Sequence, residues 1–159
     1  MYEDKLTSQI IDKEAYKTEI AKQYTTFLAQ YPEIFVDLIS GSHFDFAIYD
    51  SIESYDAETP IDVFNIYRNA EGIEIKPGKA NNPDLELGLS VQAIEKLIKT
   101  KDKVEYARLL GSFYNEPNEH NGWIDFMLFQ RTQKIIEMGY GKFAQTAGIL
   151  DDEGSIINL

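Results

Sequence analysis

The chain has 159 residues, no cysteine and a formal net charge of −12, from 15 lysines and arginines against 27 aspartates and glutamates. A chain of this length forms one domain that can bury a core without disulfide bonds. The acidic surface argues against a nucleic-acid partner, because affinity for a phosphate backbone depends on cations. No apolar run approaches the roughly 18 residues of a membrane-spanning helix, and no apolar signal region follows the charged residues 1–5, so we expect a cytoplasmic protein without stable membrane insertion.

The N-terminal part of the chain predicts two helices. Asp12 is placed to cap a helix whose first turn carries Glu14, with the sign that the helix dipole prefers. Apolar side chains then recur every three or four residues in one stripe, at Tyr16, Ile20, Tyr24, Phe27, Leu28 and Tyr31. Pro32 disfavours helical geometry at the residue before it and ends the helix. A shorter helix is expected over 34–39.

Three segments in the middle of the chain are expected to form strands. Residues 44–48 alternate apolar with polar side chains, which is the period of a strand with one buried face. Residues 61–67 are partly apolar on both faces. Residues 73–75 form the next strand, after a turn in which Gly72 supplies the positive φ that tight hairpins use.

A further strand and two capped helices are predicted after residue 83. The strand is indicated by three alternating leucines, Leu85, Leu87 and Leu89. Ser90 ends the alternation, and its hydroxyl can cap a helix that carries apolar residues at helical spacing over 91–98. Asp102 and Glu105 form a second start signal, a capping box, before another short helix that Gly111 ends.

This strand, its two capped helices and the final glycine resemble the core of the sterol-carrier-protein-2-like family of lipid-binding domains. The matching positions are Pro83, Asp84, Leu85, Leu87, Leu89, Ser90, Ile94, Leu97, Ala107, Leu110 and Gly111. The resemblance implies an apolar tunnel between a five-stranded sheet and the helices, with the C-terminal helix as its mobile wall. By that resemblance, the lining would come from Leu85, Leu87, Leu89, Ile94, Leu97, Leu110 and Phe113. Trp123, Phe126 and Met127 would add the wall, by their position in the chain.

A final helix is predicted over 123–138. Aromatic, aliphatic and methionine side chains occupy its first two turns nearly all round, which is more than one core-facing stripe requires. Gly139 and Gly141 end it, and residues 143–150 form a second apolar segment. We expect residues 151–159 to form a mobile acidic tail.

The order of these elements predicts an α+β fold. A helix, a strand meander and a set of helices give a single domain over residues 1–150, with an antiparallel, roughly five-stranded sheet covered by helices. The expected architecture is therefore that of the family that the chain resembles.

Few residues of the sequence could carry catalysis or bind a metal. His43 and His120 are the only histidines, and neither has a second ligand at zinc-site spacing. No nucleophile-elbow serine, P-loop or dinucleotide-binding glycine pattern is present. Four carboxylates lie between apolar residues of predicted strands and are expected on the solvent face of the sheet, namely Asp45, Asp62, Glu74 and Glu86. We therefore predict no catalytic residue, no metal and no cofactor.

The sequence favours a non-enzymatic module that binds or carries a lipid or fatty-acyl ligand, an apolar small molecule. Leu87, Leu97 and Met127 are expected to point at one apolar cavity, from strand, helix and terminal helix respectively. Burial of about 14 methylenes at ~0.8 kcal/mol each contributes ~11 kcal/mol. Subtracting at least ~4 kcal/mol for association leaves ~7 kcal/mol, an affinity near ten micromolar.

Two alternatives remain open. One is a small-molecule enzyme of isomerase or dehydratase type on a curved α+β sheet, for which His43, Asp45 and Tyr49 on one face of one strand are the best candidates. The other is an acidic interaction scaffold with a filled core, which would bind a basic partner through its surface. Solvent exposure of the His43 face would remove the first alternative, and absence of a cavity would favour the second.

Overall fold

A six-stranded mixed sheet organises the part of the chain that the computed structural model describes, residues 6–151 and 153–156. Its strands are β1 (Thr7–Ile10), β2 (His43–Tyr49), β3 (Asp62–Arg68), β4 (Gly72–Pro77), β5 (Leu85–Ser90) and β6 (Ile124–Leu128). They lie in the order β1-β4-β3-β2-β5-β6. The single-domain α+β class is confirmed. The prediction of a roughly five-stranded antiparallel sheet is wrong, because the sheet has six strands, with β1 and β6 at positions where no strand was predicted, and two pairs, β1 with β4 and β2 with β5, are parallel.

The parallel pairing of β2 with β5 follows from how the chain leaves the meander. Strands β2, β3 and β4 are successive antiparallel neighbours, so β4 lies two strands away from β2. The segment from Gly78 to Asp84 therefore has to cross the sheet before β5 can join the free side of β2. The crossing is held by Asp45 of β2, whose carboxylate accepts the backbone amide of Ala80 at 3.3 Å.

Six helices and several single turns complete the chain. The helices are α1 (Glu19–Gln30), α2 (Ile52–Asp56), α3 (Val91–Leu97), α4 (Lys103–Asn115), α5 (Thr132–Ile135) and α6 (Gly141–Ala147). The predicted caps of α3 and α4 are confirmed, since Ser90 accepts the amide of Ala93 and Asp102 accepts the amide of Glu105. The predicted helix over 34–39 is only a 3₁₀ turn over Pro32–Phe35. No helix of the described residues is long and apolar enough to cross a bilayer.

The predicted start of the first helix is wrong. Asp12 has a left-handed backbone with φ of 51° and makes no capping hydrogen bond with its side chain. Helix α1 begins instead after Thr18, whose hydroxyl accepts the amide of Ala21. The reason is tertiary, because the buried carboxylate of Asp62 on β3 accepts the amides of Lys17 and Thr18 at 2.8 and 3.0 Å. These two amides are thereby held outside a continuous helix.

The predicted helix over 123–138 is also wrong, because its first part is β6. Leu87 of β5 lies opposite Phe126, and alternate residues of β6 face opposite sides of the sheet. A strand with apolar residues on both faces has no period that separates it from a buried helix. Helical structure begins only at α5 and continues, through a π-helical turn over Ile136–Tyr140, into α6.

The main core lies between the sheet and helices α1, α3, α4 and α6. The opposite face carries a smaller cluster of Ala47, Tyr49 and Trp123, beside α2. Part of the predicted C-terminal tail is folded back, because Leu150 pairs with Ile156 and the carboxylate of Asp151 accepts two amides of the intervening turn. The rest of that tail, residues 152 and 157–159, lies outside the described residues.

Candidate functional site

An apolar cavity of about 120 Å³ lies between the sheet and the C-terminal helical segment. The sheet contributes Phe44, Phe46, Leu85, Leu87, Phe126 and Leu128. The facing walls include Ile34, Leu38, Tyr106, Leu110, Ile135, Tyr140, Phe143 and Ala144. Successive side chains of a strand point to opposite faces of the sheet, so β2, β5 and β6 each present every second residue to this space. The lining is almost entirely apolar, which suits a hydrocarbon group better than a polar substrate.

The ten residues predicted to bind ligand fall into three groups. Those that line the cavity are Leu85, Leu87, Leu110 and Phe126. Those that are buried in the core outside the cavity lining are Leu89, Ile94, Leu97 and Phe113. The remaining two, Trp123 and Met127, are not part of the lining. Trp123 packs on Tyr49 and Tyr55, and Met127 is 52 % exposed on the other face of β6.

The expectation that Leu87, Leu97 and Met127 share one cavity is therefore wrong for two of the three. Leu97 is fully buried among helices, and Met127 faces away because β6 is a strand and not a helix. Of the predicted wall residues Trp123, Phe126 and Met127, only Phe126 lines the cavity, and the rest of the wall comes from 132–150. The signal in the sequence was the apolar segment over 143–150, which the prediction did not assign to the lining.

The C-terminal wall is kinked at Gly139. This residue has φ of 103° within an otherwise helical run, a conformation that favours glycine. A Cβ there would lie 1.9 Å from the carbonyl oxygen of Asp37, so no other side chain fits without a shift of the backbone. Next to the kink, the carbonyl of Met138 accepts the amide of Ile39 at 3.0 Å. The wall thus contacts residues 37–39, which follow the 3₁₀ turn, directly at its bend.

Tyr140 secures the kinked segment to the sheet. Its hydroxyl donates to Asp84 at 2.9 Å, and the same carboxylate oxygen accepts the amide of His43 at 2.9 Å. Burial, with the charge of Asp84 and their hydrogen bond, raises the pKa of Tyr140 far above its usual range. The phenol therefore stays protonated and remains a donor to Asp84.

A pair of ion pairs, which we call the rim, lies where the cavity wall meets solvent. Asp37 lines the cavity, and its carboxylate is contacted by Lys103 of α4 and, at 3.7 Å, by Lys142 of α6. The side chains of Asp37 and Lys103 are 17 % and 23 % exposed, whereas that of Lys142 is 75 % exposed. The rim thereby links the turn at Asp37, α4 and the C-terminal wall at one point.

Two buried hydroxyls lie on the helical side of the core. Tyr106 lines the cavity, and its hydroxyl is hydrogen-bonded to that of Tyr24 of α1. Burial raises the pKa of both phenols well above the usual value. The pair joins α1 to α4 through an otherwise apolar interior.

The opposite face of the sheet does not lie in solvent at Asp45. This carboxylate is fully buried, and it accepts the side-chain amide of Asn65 at 3.0 Å as well as the amide of Ala80. Burial raises its pKa, against the opposing effect of these hydrogen bonds. The expectation of a solvent position is thus wrong for Asp45 and for Asp62, which is 6 % exposed. Both bind backbone amides of crossing segments, which is a structural role.

Two of the three candidate catalytic residues on this face have partners within the fold, Asp45 through hydrogen bonds and Tyr49 through ring packing. The carboxylate of Asp45 is held by Asn65 and Ala80, and the ring of Tyr49 packs on that of Trp123 with centroids 6.0 Å apart. Beside it, burial raises the pKa of Glu86, with Lys79 opposing. The described residues contain no group of three or more His, Asp or Glu side chains placed to hold a metal ion.

The cavity is therefore the feature of the described chain best shaped to hold a small molecule. Its walls come largely from the sheet, α4 and the kinked C-terminal segment. The residues of its lining with polar side chains are Asp37 of the rim, Tyr106, Thr132 and Tyr140. Comparison with models of protein families, with curated proteins and with solved structures found no match to this chain.

Proposed function

We propose that this protein is a non-enzymatic lipid-binding module of the sterol-carrier-protein-2-like type, which binds or carries a fatty-acyl ligand between its sheet and its helices. The observation that carries the proposal is the apolar cavity, bounded by Leu85 and Leu87 of β5 and by Leu110 of α4. These three positions are among those on which the family resemblance rests. An unfilled space in an apolar core costs stability, because its lining loses dispersion contacts, and a function in binding gives a reason for keeping it.

The volume of the cavity limits what it holds at rest. An apolar cavity of ~150 Å³ binds benzene, so a cavity of about 120 Å³ takes about five carbons. Five buried methylenes contribute ~4 kcal/mol, which only offsets an association cost of at least ~4 kcal/mol. A chain of about 14 carbons would gain ~7 kcal/mol net, as worked out above. Useful affinity therefore requires that the cavity enlarge.

The C-terminal segment 132–147 is the wall that we expect to move. It packs against α4 and against residues 37–39 rather than within the sheet. The specific polar contacts that hold it include the Met138 carbonyl with Ile39, the hydroxyl of Tyr140 with Asp84, and Lys142 with Asp37. Outward displacement pivoting near Gly139 would lengthen the cavity without disturbing the strands. Hinge residues of this kind absorb backbone changes in many closing domains.

Two measurements test the proposal. Native mass spectrometry of the purified protein, compared with its denatured mass, should reveal a co-purifying species of several hundred daltons. After delipidation, titration with a fluorescent fatty acid should saturate at one equivalent with micromolar affinity, and hydrogen exchange over 132–147 should change on binding. A protein that carries no such species and gives no saturable binding would contradict the proposal and favour a scaffold with no ligand.

A further inference from the structure

We infer that the ligand of this cavity carries an anionic head group, a carboxylate, and that the two lysines of the rim bind it. The inference rests on the proposed function and adds to it the chemical class of the ligand and the side chains that recognise its head. It starts from the rim, where Lys103 and Lys142 both contact the one carboxylate of Asp37.

The charge of the rim stands out against the charge of the chain. The protein has a net charge of −12, yet the rim has two cations for one carboxylate and so carries one positive charge in excess. Within residues 6–151 and 153–156, these two contacts are the ion pairs that the structure contains, and they share Asp37, which lines the cavity, whereas the two lysines lie outside the lining. A ligand carboxylate placed here would balance the two lysines with two carboxylates. A neutral head group would leave the excess charge unpaired.

The geometry of the rim leaves one lysine available for exchange. Lys103 contacts Asp37 closely, and both side chains are largely buried. Lys142 lies farther away, at 3.7 Å, and is 75 % exposed, so its pair with Asp37 contributes little to stability. A carboxylate that arrives from solvent can therefore pair with Lys142, while Lys103 continues to neutralise Asp37.

The position of Lys142 connects head-group binding to the movement of the wall. Lys142 belongs to α6, which has to move for a long chain to enter, whereas Asp37 lies outside that segment and also contacts Lys103 of α4. When α6 moves outward, the contact between Lys142 and Asp37 lengthens. A ligand carboxylate between them restores a partner to Lys142 and places the acyl chain along the Asp37 side of the cavity.

The test compares two ligands that differ only in the head group. Isothermal titration calorimetry at neutral pH measures binding of decanoate and of 1-decanol to the delipidated full chain and to Lys142→Gln. Lys99→Gln is the matched control, because Lys99 is an exposed lysine just after α3 and is not one of the two lysines that contact Asp37. A double variant, Lys103→Gln with Lys142→Gln, removes both cations.

We expect Lys142→Gln to weaken decanoate binding about 2- to 5-fold, as is typical of an exposed ion pair, and to leave 1-decanol binding unchanged. Lys99→Gln should change neither ligand, and the double variant should weaken decanoate further. Equal binding of both ligands to the wild type, with no selective effect of Lys142→Gln, would overturn the inference and leave the proposed function standing. For ten carbons, the arithmetic applied above to 14 carbons gives a dissociation constant of about one millimolar. Failure of the wild type to bind either of these ligands and also a 14-carbon fatty acid would overturn both.

Discussion

Substitution of Leu87 by tryptophan separates a ligand cavity from a filled core. Leu87 lies on the cavity face of β5, opposite Phe46 on β2 and Phe126 on β6, and all three line the cavity. An indole at this position extends into existing space, so we expect stability to change by less than about 1 kcal/mol and fatty-acid binding to be lost. The matched control is Leu97→Trp, because Leu97 is fully buried and not part of the lining.

The two variants should differ clearly in thermal stability. Leu97→Trp overpacks a dense interior, at a cost of ~1–3 kcal/mol or more. For a chain of this size each kcal/mol lowers Tm by about 2–4 °C. Leu97→Trp should therefore lower Tm by about 2–12 °C, and Leu87→Trp by less than about 4 °C. Thermal unfolding followed by circular dichroism, with titration of a fluorescent fatty acid below Tm, measures both quantities on the same samples.

Two results would refute this reasoning. Loss of stability in Leu87→Trp as large as that in Leu97→Trp would mean that the space beside Leu87 is filled in solution. Full fatty-acid binding by a stable Leu87→Trp would mean that the ligand binds elsewhere on the protein. Loss of binding with stability preserved is the outcome that the cavity requires.

Three further predictions concern the wall, the buried phenols and the opposite face. Gly139→Ala should cost ~1–3 kcal/mol in urea unfolding, because it places a Cβ against the backbone of Asp37 at positive φ; unchanged stability would mean that the kink is not held as described. Tyr106→Phe leaves the hydroxyl of Tyr24 buried without its partner and should cost ~1–3 kcal/mol, whereas the double Phe variant should cost less than the sum of the single ones in a double-mutant cycle. Burial raises the pKa of Asp45 above 3.8, so between 3.8 and the folded pKa the folded state binds a proton that the unfolded state has released. The stability of the wild type relative to Asp45→Asn should therefore rise as pH falls from neutral through the folded pKa, and level off below 3.8. Urea unfolding over that pH range measures this dependence, and the opposite slope would contradict it.

Local patterns in the sequence predicted those elements whose formation depends on their own residues. Strands β2 to β5 each place apolar side chains at period two toward the core, and their positions were correct. The caps at Ser90 and Asp102 were correct because a cap needs only a side chain and an amide a few residues away. In these places the interaction that forms the element is encoded within the element itself.

Contacts between distant segments account for the errors. Asp12 and Thr18 are both good caps by type, and the choice between them depends on Asp62, which lies 44 residues after Thr18. The direction of β5 depends on a loop crossing that Asp45 holds from a different strand. The alternation of side chains around Asp45 and around Asp62 predicts that each lies on the solvent face of the sheet, since nothing local indicates that a second segment will cover it.

The location of the cavity follows from the same dependence on distant contacts. Leu85, Leu87 and Leu89 share one face of one strand, yet only the first two line the cavity. Their sequence pattern is identical, so the difference comes from what lies above them. Ser90 begins α3 immediately after Leu89, which brings a helix over that end of the strand. The other end is covered by the C-terminal segment, which bends at Gly139 against Asp37 and Leu38 and so does not form one continuous straight helix over the sheet. We infer that the cavity results from this bend, and under the proposed function a ligand that displaces the segment would change the volume of the cavity.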